Sequence, residues 1–325
     1  DVTLAARWLT ERALIPGIVA MDGPETTWAP QDLLVPDPTT FPALVRTPGQ
    51  EIDASTEAQR MVFGGARRLV PRWMSSERPV ALGVAQDVED FGVAVAGHRE
   101  FFAGPLRTLA AQARSTISEY TGRKLEAVSW HGPREASHVF VAQGSLAEAA
   151  CAAADTLGQE RGDKVAALSV VWLRPFPADE IAVALSKAET VTVLERVDDA
   201  LAGAPPLTRE IAPLLRGTDV HVQSATWGIG GHPVETGDLV WLGQQLRDGQ
   251  RFDEPFFLGL AGPGTDTTFP RREARTTAVA RSFPNLARTW RGTDEVFTEQ
   301  PGASRSVLLV VPEEDATDDL AVALA

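Results

Sequence analysis

Residues 170–185 read VVWLRPFPADEIAVAL. The apolar run that enters this stretch, KVAALSVVWL (164–173), stops at Arg174; Pro175 and Pro177 then punctuate a turn, and Asp179-Glu180 open a pattern with helical spacing. Strand, loop and helix in that order make the repeating unit of a parallel α/β sheet. The unit recurs on both sides. SHVFVAQGS (137–145) reads as a strand before the helical LAEAACAAADTLGQER, and TVTVLER (190–196) as a strand before a helix over about 207–215. DVHVQSA (219–225) precedes the helical ETGDLVWLGQQLRDG in the same way. Such alternation joins parallel strands by right-handed crossovers, so 136–249 is expected to form one α/β layer structure.

Outside this unit the signals are weaker. Leu4 to Leu14 has the spacing of a short helix, and IPGIVAMDGPETTW (15–28) gives a Pro-Gly break, an apolar strand at Ile18–Met21 and a turn at Asp22-Gly23-Pro24. The proline-rich 33–53 reads as an ordered surface strap or a linker. STEAQRMVFGGARRLVPRWM (55–74) has helical spacing weakened at Gly64-Gly65, PVALGVAQ (79–86) reads as a strand, and a long helix is expected from about Pro105 to Tyr120, ended by Thr121-Gly122-Arg123. EPFFLGLAGPG (254–264) opens an exit strap, and Ser306 onward reads as a strand, a loop and the first turns of a helix. The first residue is Asp1, and the final TDDLAVALA lacks a helix stop signal; the chain reads as a fragment.

Composition narrows the function. With 325 residues, two or three domains are expected, and 44 acidic against 30 basic side chains leave a net charge of −14, which argues against nucleic-acid binding. No apolar stretch is long enough to cross a bilayer and no signal-peptide pattern opens the chain, so no membrane partner is expected and the cytoplasm is the default compartment. Cys151 is the only cysteine, which rules out an intrachain disulfide and a cysteine-ligated cluster held by this chain alone.

Catalytic motifs are mostly missing. Gly228, Gly230 and Gly231 in TWGIGGHPVETGDL (226–239) lie between strand and helix, but their spacing is not that of a dinucleotide loop and no Walker lysine follows. A tight turn that lets another segment approach the backbone is the reading for these glycines, beside Trp227. The histidines at 98, 131, 138, 221 and 232 are not at metal-ligand spacing, and no Gly-x-Ser-x-Gly elbow appears. Asp22 and Glu25 follow a candidate strand and suit either acid–base work or a turn. In 269–291 six arginines face one acid, so Arg271, Arg272 and Arg275 could fork onto an anionic ligand or clasp an acidic neighbouring surface.

The run KVAALSVVWLRPFPADEIAVAL followed by VTVLERVDDALAGAPPLTREI (191–211) resembles the pyruvate:ferredoxin (flavodoxin) oxidoreductase family, in which a strand ends in Arg-Pro-Phe and the next in an acid and an arginine, like Glu195-Arg196. PVALGVAQDVEDF, YTGRKLEAVSWHG, VFVAQGS and TWGIGGHPVETGDL resemble other segments of that family in the same order. The resemblance implies an α/β architecture in three parts. Residues 1–135 would be the end of a thiamine pyrimidine-binding-like domain with a linker, 136–249 a transketolase C-terminal-like parallel-sheet domain, and 250–325 an arginine-rich strap and the start of a further, gamma-like α/β domain.

By the same resemblance the whole enzyme would use thiamine diphosphate, magnesium and iron–sulfur clusters with coenzyme A as co-substrate, pass electrons to ferredoxin or flavodoxin, and work with its remaining domains or subunits as a homo-oligomer. The Gly-Asp-Gly and cysteine-cluster motifs are absent here, as is the family's upstream glutamate, and Pro312-Glu313-Glu314 stands where glycines are expected. No cofactor residue is therefore carried over, and the segment alone is expected to be inactive. Two other readings stay open: a non-catalytic protein- or anion-binding module on the same fold, and a subunit like transketolase or the E1 β chain. Arg174, at the end of its strand and beside Phe176, is expected to be buried against another domain or subunit with a carboxylate partner such as Glu195, because an unpaired buried guanidinium is too costly. Arg174→Ala is accordingly expected to weaken stability or association by several kcal/mol.

Overall fold

The computed structural model describes residues 1–23, 26, 39, 41–44, 46–74, 77, 87–260, 270–282 and 289–290. The chain opens with helix α1 (Val2–Ala13), whose Ala5, Leu9 and Ala13 recur at four-residue spacing and form one buried stripe. A short turn of helix, α2 (Phe41–Leu44), precedes strand β1 (Glu51–Asp53), helix α3 (Glu57–Phe63) and strand β2 (Ala66–Arg68), which pairs antiparallel with β1. Thr56 caps α3 by accepting from Gln59 N at 3.2 Å, and Gly64, at φ 84°, ends it. The helical spacing of 55–74 thus survives only as far as the glycine pair. Ile18–Met21, expected as a strand, has no ladder partner and stands exposed, Ile18 at 94 %. The expected strand at 79–86 and everything from 291 on, including the Ser306 unit, fall outside the described residues.

Helix α4 (Val88–Ala103), to which the sequence reading gave no element, is started by Asp87, whose carboxylate accepts from Glu89 N at 3.0 Å and Asp90 N at 2.9 Å. Helix α5 (Pro105–Thr121) begins on proline and stops at Gly122, as its sequence signals require. Leu106, Leu109, Ala110, Ala113 and Ile117 of α5 pack on the buried stripe of α1, joined by Trp172 from just past strand 165–170 of the main sheet.

One buried guanidinium ties this amino-terminal region together. Arg67 of β2 is 5 % exposed. Its Nε donates to Gln59 Oε1 at 2.8 Å, Nη1 to the carbonyls of Arg68 and Leu69 at 2.8 Å each, and Nη2 to those of Glu11 and Arg12 at 2.9 and 3.0 Å. The last two are orphan carbonyls at the end of α1, so the side chain closes a helix, a strand and α3 around one charge.

The main sheet follows: β3 (Val128–His131), β4 (His138–Ala142), α6 (Ser145–Arg161), β5 (Val165–Val170), α7 (Ala178–Leu185), β6 (Thr190–Glu195), α8 (Pro206–Ile211) with a tighter turn at Ala212–Leu215, β7 (His221–Trp227), α9 (Thr236–Arg247), β8 (Phe256–Leu258), α10 (Pro270–Ala280) and β9 (Thr289–Trp290). Its strand order is β3-β5-β4-β6-β7-β8-β9; β3 is antiparallel to β5 and the others run parallel. The expected mixed α/β class with a mainly parallel sheet is therefore observed. The sheet is wider than the 136–249 read from the sequence, because an edge strand precedes it and β8, placed there in an exit strap, extends it.

Period-two alternation divides the core. Phe140, Ala142, Val165, Ala167, Ala225 and Trp227 face α6 and α9, whereas Val139, Val141, Ala166, Leu168, Val191 and Val193 face α7 and α8. With helices on both faces, a central strand is buried on both sides, which is why β5 reads as a nearly continuous apolar run; β6 and β7 also bury the polar Thr190, Thr192, Gln223 and Thr226.

Candidate functional site

In an open parallel sheet, ligands and partners meet the carboxyl ends of the strands. Here β4, β6 and β7 deliver Gly144-Ser145, Glu195-Arg196 and Trp227-Gly228 to that edge. Arg196 connects them: Nη2 donates to Ser145 Oγ at 2.9 Å and Nη1 to the carbonyl of Gly228 at 3.3 Å. A side-chain carbon on Gly228, at φ 69°, would meet the Arg196 guanidinium at 2.8 Å and Val234 Cγ1 at 2.9 Å, so both side chains approach the backbone of this turn. Gly230 and Gly231 take left-handed conformations with nothing packed on them, and Trp227 is fully buried, its indole N–H donating to Asp238 Oδ2 at 3.1 Å.

Asp22 completes the cluster from the amino-terminal region. Its Oδ2 accepts from Ser145 N, at the start of α6, at 2.5 Å, and its Oδ1 lies 3.8 Å from Arg196 Nε. Burial by itself raises the Asp22 pKa, but the Ser145 N–H, the Ser145 hydroxyl and the Arg196 charge outweigh it and leave the carboxyl below its ordinary value. An ionised carboxylate held this way is an acceptor and an anchor, and a poor proton donor. Glu25 lies outside the described residues.

The expected Arg174–Glu195 pair does not form. Glu195 is buried, and its carboxylate is committed to the first turn of α8: Oε1 accepts from Leu207 N at 2.6 Å, and Oε2 from Thr208 N at 3.0 Å and Thr208 Oγ1 at 2.9 Å. Those N–H groups have no partner within their helix, so they claim the carboxylate. Arg174 instead donates to Glu210 Oε1 at 2.7 Å from a side chain that is 67 % exposed, with Phe176 below it. Within this chain it is a surface ion pair, and the expected penalty of several kcal/mol for Arg174→Ala has no basis here.

The remaining candidates stay apart from this cluster in role. Arg271 and Arg275 stand exposed on α10, while the side chain of Arg272 lies outside the described residues. His232 is an exposed turn residue with Nδ1 near its neighbour's carbonyl, and His131 pairs with Asp155 at 2.8 Å. Sequence reasoning flagged Asp22, Glu195 and Gly228 singly but missed Ser145 and the unifying role of Arg196. The only local signal was that each ends or follows an apolar run.

Comparison with known proteins now bears on these residues. The pyruvate:ferredoxin oxidoreductase core domain II model matches residues 136–239, which contain β4 through β7 and the start of α9. The pyruvate-flavodoxin oxidoreductase of Klebsiella pneumoniae is 27 % identical over 250 residues, covering 73 % of this chain and 20 % of the relative. The pyruvate:ferredoxin oxidoreductase of Moorella thermoacetica is 24 % identical, with 71 % and 18 % covered, and pyruvate synthase subunit PorA of Methanothermobacter thermautotrophicus is 30 % identical, with 50 % and 41 % covered. Among solved structures, a 2-oxoglutarate:ferredoxin oxidoreductase from Magnetococcus marinus aligns with a TM-score of 0.33 at 16 % identity, covering 55 % of this chain and 28 % of that one. The chain spans about a fifth of the length of the first of these relatives. The chain is thus similar to the pyruvate:ferredoxin and pyruvate-flavodoxin oxidoreductases over part of their length, and matches the model of their core domain II over residues 136–239.

Proposed function

We propose that this chain is a segment of a thiamine diphosphate-dependent 2-oxoacid:ferredoxin or flavodoxin oxidoreductase, the class that oxidatively decarboxylates pyruvate or a related 2-oxoacid to acyl-coenzyme A. The observation that carries this reading is the core domain II match over residues 136–239. Within it, the segment's part is to assemble domains around chemistry supplied by other residues. Val171, Leu173, Val197 and Leu201 support that role, because all four leave apolar surface exposed around the strand-end loops, Leu201 fully.

Magnesium and an iron–sulfur cluster find no ligand set among the described residues. Among the described residues no group of three His, Cys, Asp or Glu side chains could hold a magnesium ion, and Cys151 is the chain's single cysteine where a cluster takes four ligands. No catalytic step is routed through this chain on that account. Cytoplasmic location and a homo-oligomer belong to the same proposal.

The test is to co-express the chain with the products of adjacent reading frames, purify the complex through this chain, and follow coenzyme A-dependent reduction of ferredoxin by pyruvate and other 2-oxoacids. Activity in the complex, with none from the chain alone, is the expected result. Turnover by the isolated chain, or transfer to a lipoyl carrier in place of ferredoxin, would overturn the reading.

A further inference from the structure

We propose that the groove beside the β1–β2 ribbon binds a small phosphorylated molecule, with Arg68 and Arg72 on the phosphate and Trp73 and Phe63 against the flat, apolar body that carries it. The groove has a volume of about 240 Å³, and Phe63, Arg67, Arg68, Pro71, Arg72 and Trp73 are among the residues that line it. Three guanidinium groups thus meet in one hollow of a chain whose net charge is −14. Among the described residues of its wall none is acidic. The groove lies outside residues 136–239, and its reading does not rest on the reaction proposed above.

The three arginines differ in what they have left to give. Arg67 donates to Gln59 and to four backbone carbonyls, so its hydrogen bonds are complete, yet none of those acceptors carries a negative charge. Arg68 Nε is enclosed without a hydrogen-bond partner, and among the described residues no carboxylate pairs with its guanidinium, Glu51 directly across the ladder included. Its Nη2 lies beside Gly49, where a side-chain carbon would come within 3.4 Å of it. Arg72 is exposed, and Trp73 leaves 39 % of its surface open. The surplus of positive charge reaches beyond the lining. Arg12, stacked on Trp8, is pushed down to about 10, first by burial and then by the charges of Arg46 and Arg67, while Glu11 pulls the other way. An oxyanion supplies what this cluster lacks, because it accepts from unused guanidinium donors and offsets their charge. Two uncommitted forks favour a doubly charged phosphate over a singly charged carboxylate. The aromatic walls suit a ring, which stacks on indole and guanidinium planes alike. The volume admits a phosphate with one ring and is below the roughly 300–1,000 Å³ of pockets for larger ligands.

Isothermal titration of the full chain with phenyl phosphate, in about 0.05 M sodium chloride to limit screening, reads the site directly. One phenyl phosphate should bind per chain, and Arg68→Gln and Arg72→Gln should each weaken it by about tenfold or more, the loss expected for a charge-assisted hydrogen bond. Trp73→Ala should weaken phenyl phosphate but leave inorganic phosphate as in the wild type, which separates the ring's contact from the anion's. Arg174→Gln, an exposed arginine outside the groove, should change neither. No binding of phenyl phosphate to the wild type, or an affinity that either groove arginine variant leaves unchanged, would overturn the proposal. Benzoate binding as tightly as phenyl phosphate would overturn the assignment of a phosphate. Should Arg68→Gln fail to fold, Arg72→Gln decides, since that side chain is exposed: a tenfold loss supports the site, and none refutes it.

Discussion

The sheet and the region before it are held together by different means. From β4 to β7 every strand divides its side chains between two layers, and cohesion is spread over many apolar contacts. In the amino-terminal region β1 and β2 have three residues each and α3 has seven, too few to bury much surface. There the single charge of Arg67 satisfies five neutral acceptors, from Gln59, Glu11, Arg12, Arg68 and Leu69. Distributed packing tolerates the loss of one group, and a hub does not. Arg174, beyond the end of β5, sits on the surface and donates to Glu210 and to the carbonyl of its neighbour Leu173. An arginine's weight is thus set by how many buried groups it reaches, even where, as for the Arg12 carbonyl and Gln59 Oε1, a second donor shares the acceptor.

Three substitutions would break or sharpen this contrast. Arg67→Met should have the largest effect, about 3 kcal/mol or more, because it strands buried carbonyls as well as removing the charge. Hydrogen exchange would show it as lost protection in α3, β1 and β2 with β5 and β6 unchanged; equal loss in both regions would refute the hub. An intermediate effect is expected at His138, buried at the start of β4. Burial first, then the Arg251 charge, depress its pKa, while Glu189 and Asp163 pull the other way and lose. The folded state therefore binds fewer protons than the unfolded chain below the latter's pKa of about 6.5. Its contribution is complete above that value and is lost as pH falls through the folded pKa. Urea melts of His138→Phe should show a flatter fall in stability between about pH 7 and about pH 5 than the wild type; the same slope in both would exclude His138 as the source. Smallest of all, Arg174→Ala should change the stability of the isolated chain by less than about 1 kcal/mol. A drop in melting point as large as that of Arg67→Met would show that the surface pair carries more than its geometry suggests.

The sheet was legible because β5 is apolar at all but Ser169, β6 alternates threonine with valine, and β5, β6 and β7 are each followed by helical spacing, although β6 and β7 also bury polar side chains such as Thr192, Gln223 and Thr226. The amino-terminal region was not, since nothing in ARRL (66–69) distinguishes a buried arginine from an exposed one. Helix α4 escaped notice because Gly92 and Gly97 interrupt its apolar residues and it buries none of them; its one sign was the capping Asp87 ahead of Glu89 and Asp90. At the candidate site Asp22 and Arg196 were each visible as charges after apolar runs. Their meeting joins residues far apart in the chain, and only the fold brings them together. The pairing of Arg174 with Glu195 failed for a related reason. Adjacent strand ends were assumed to find each other, but helix N–H groups compete for a carboxylate and cannot be read from a neighbouring strand.

One reversed strand settles the geography of the molecule. Because β3 runs against β5, with Val128 opposite Val170, the polypeptide enters this sheet beside the finish of β5, where Ala127 O receives the amides of Val171 and Trp172 at 3.0 Å. Had β3 pointed the same way as its neighbours, entry would fall at the opposite rim, about 20 Å off for a strand of six residues. Then α1 and α5 could not have reached Trp172, nor Asp22 the start of α6. A choice of direction at an outer strand thus decides which rim is walled in by the preceding polypeptide and which is left open.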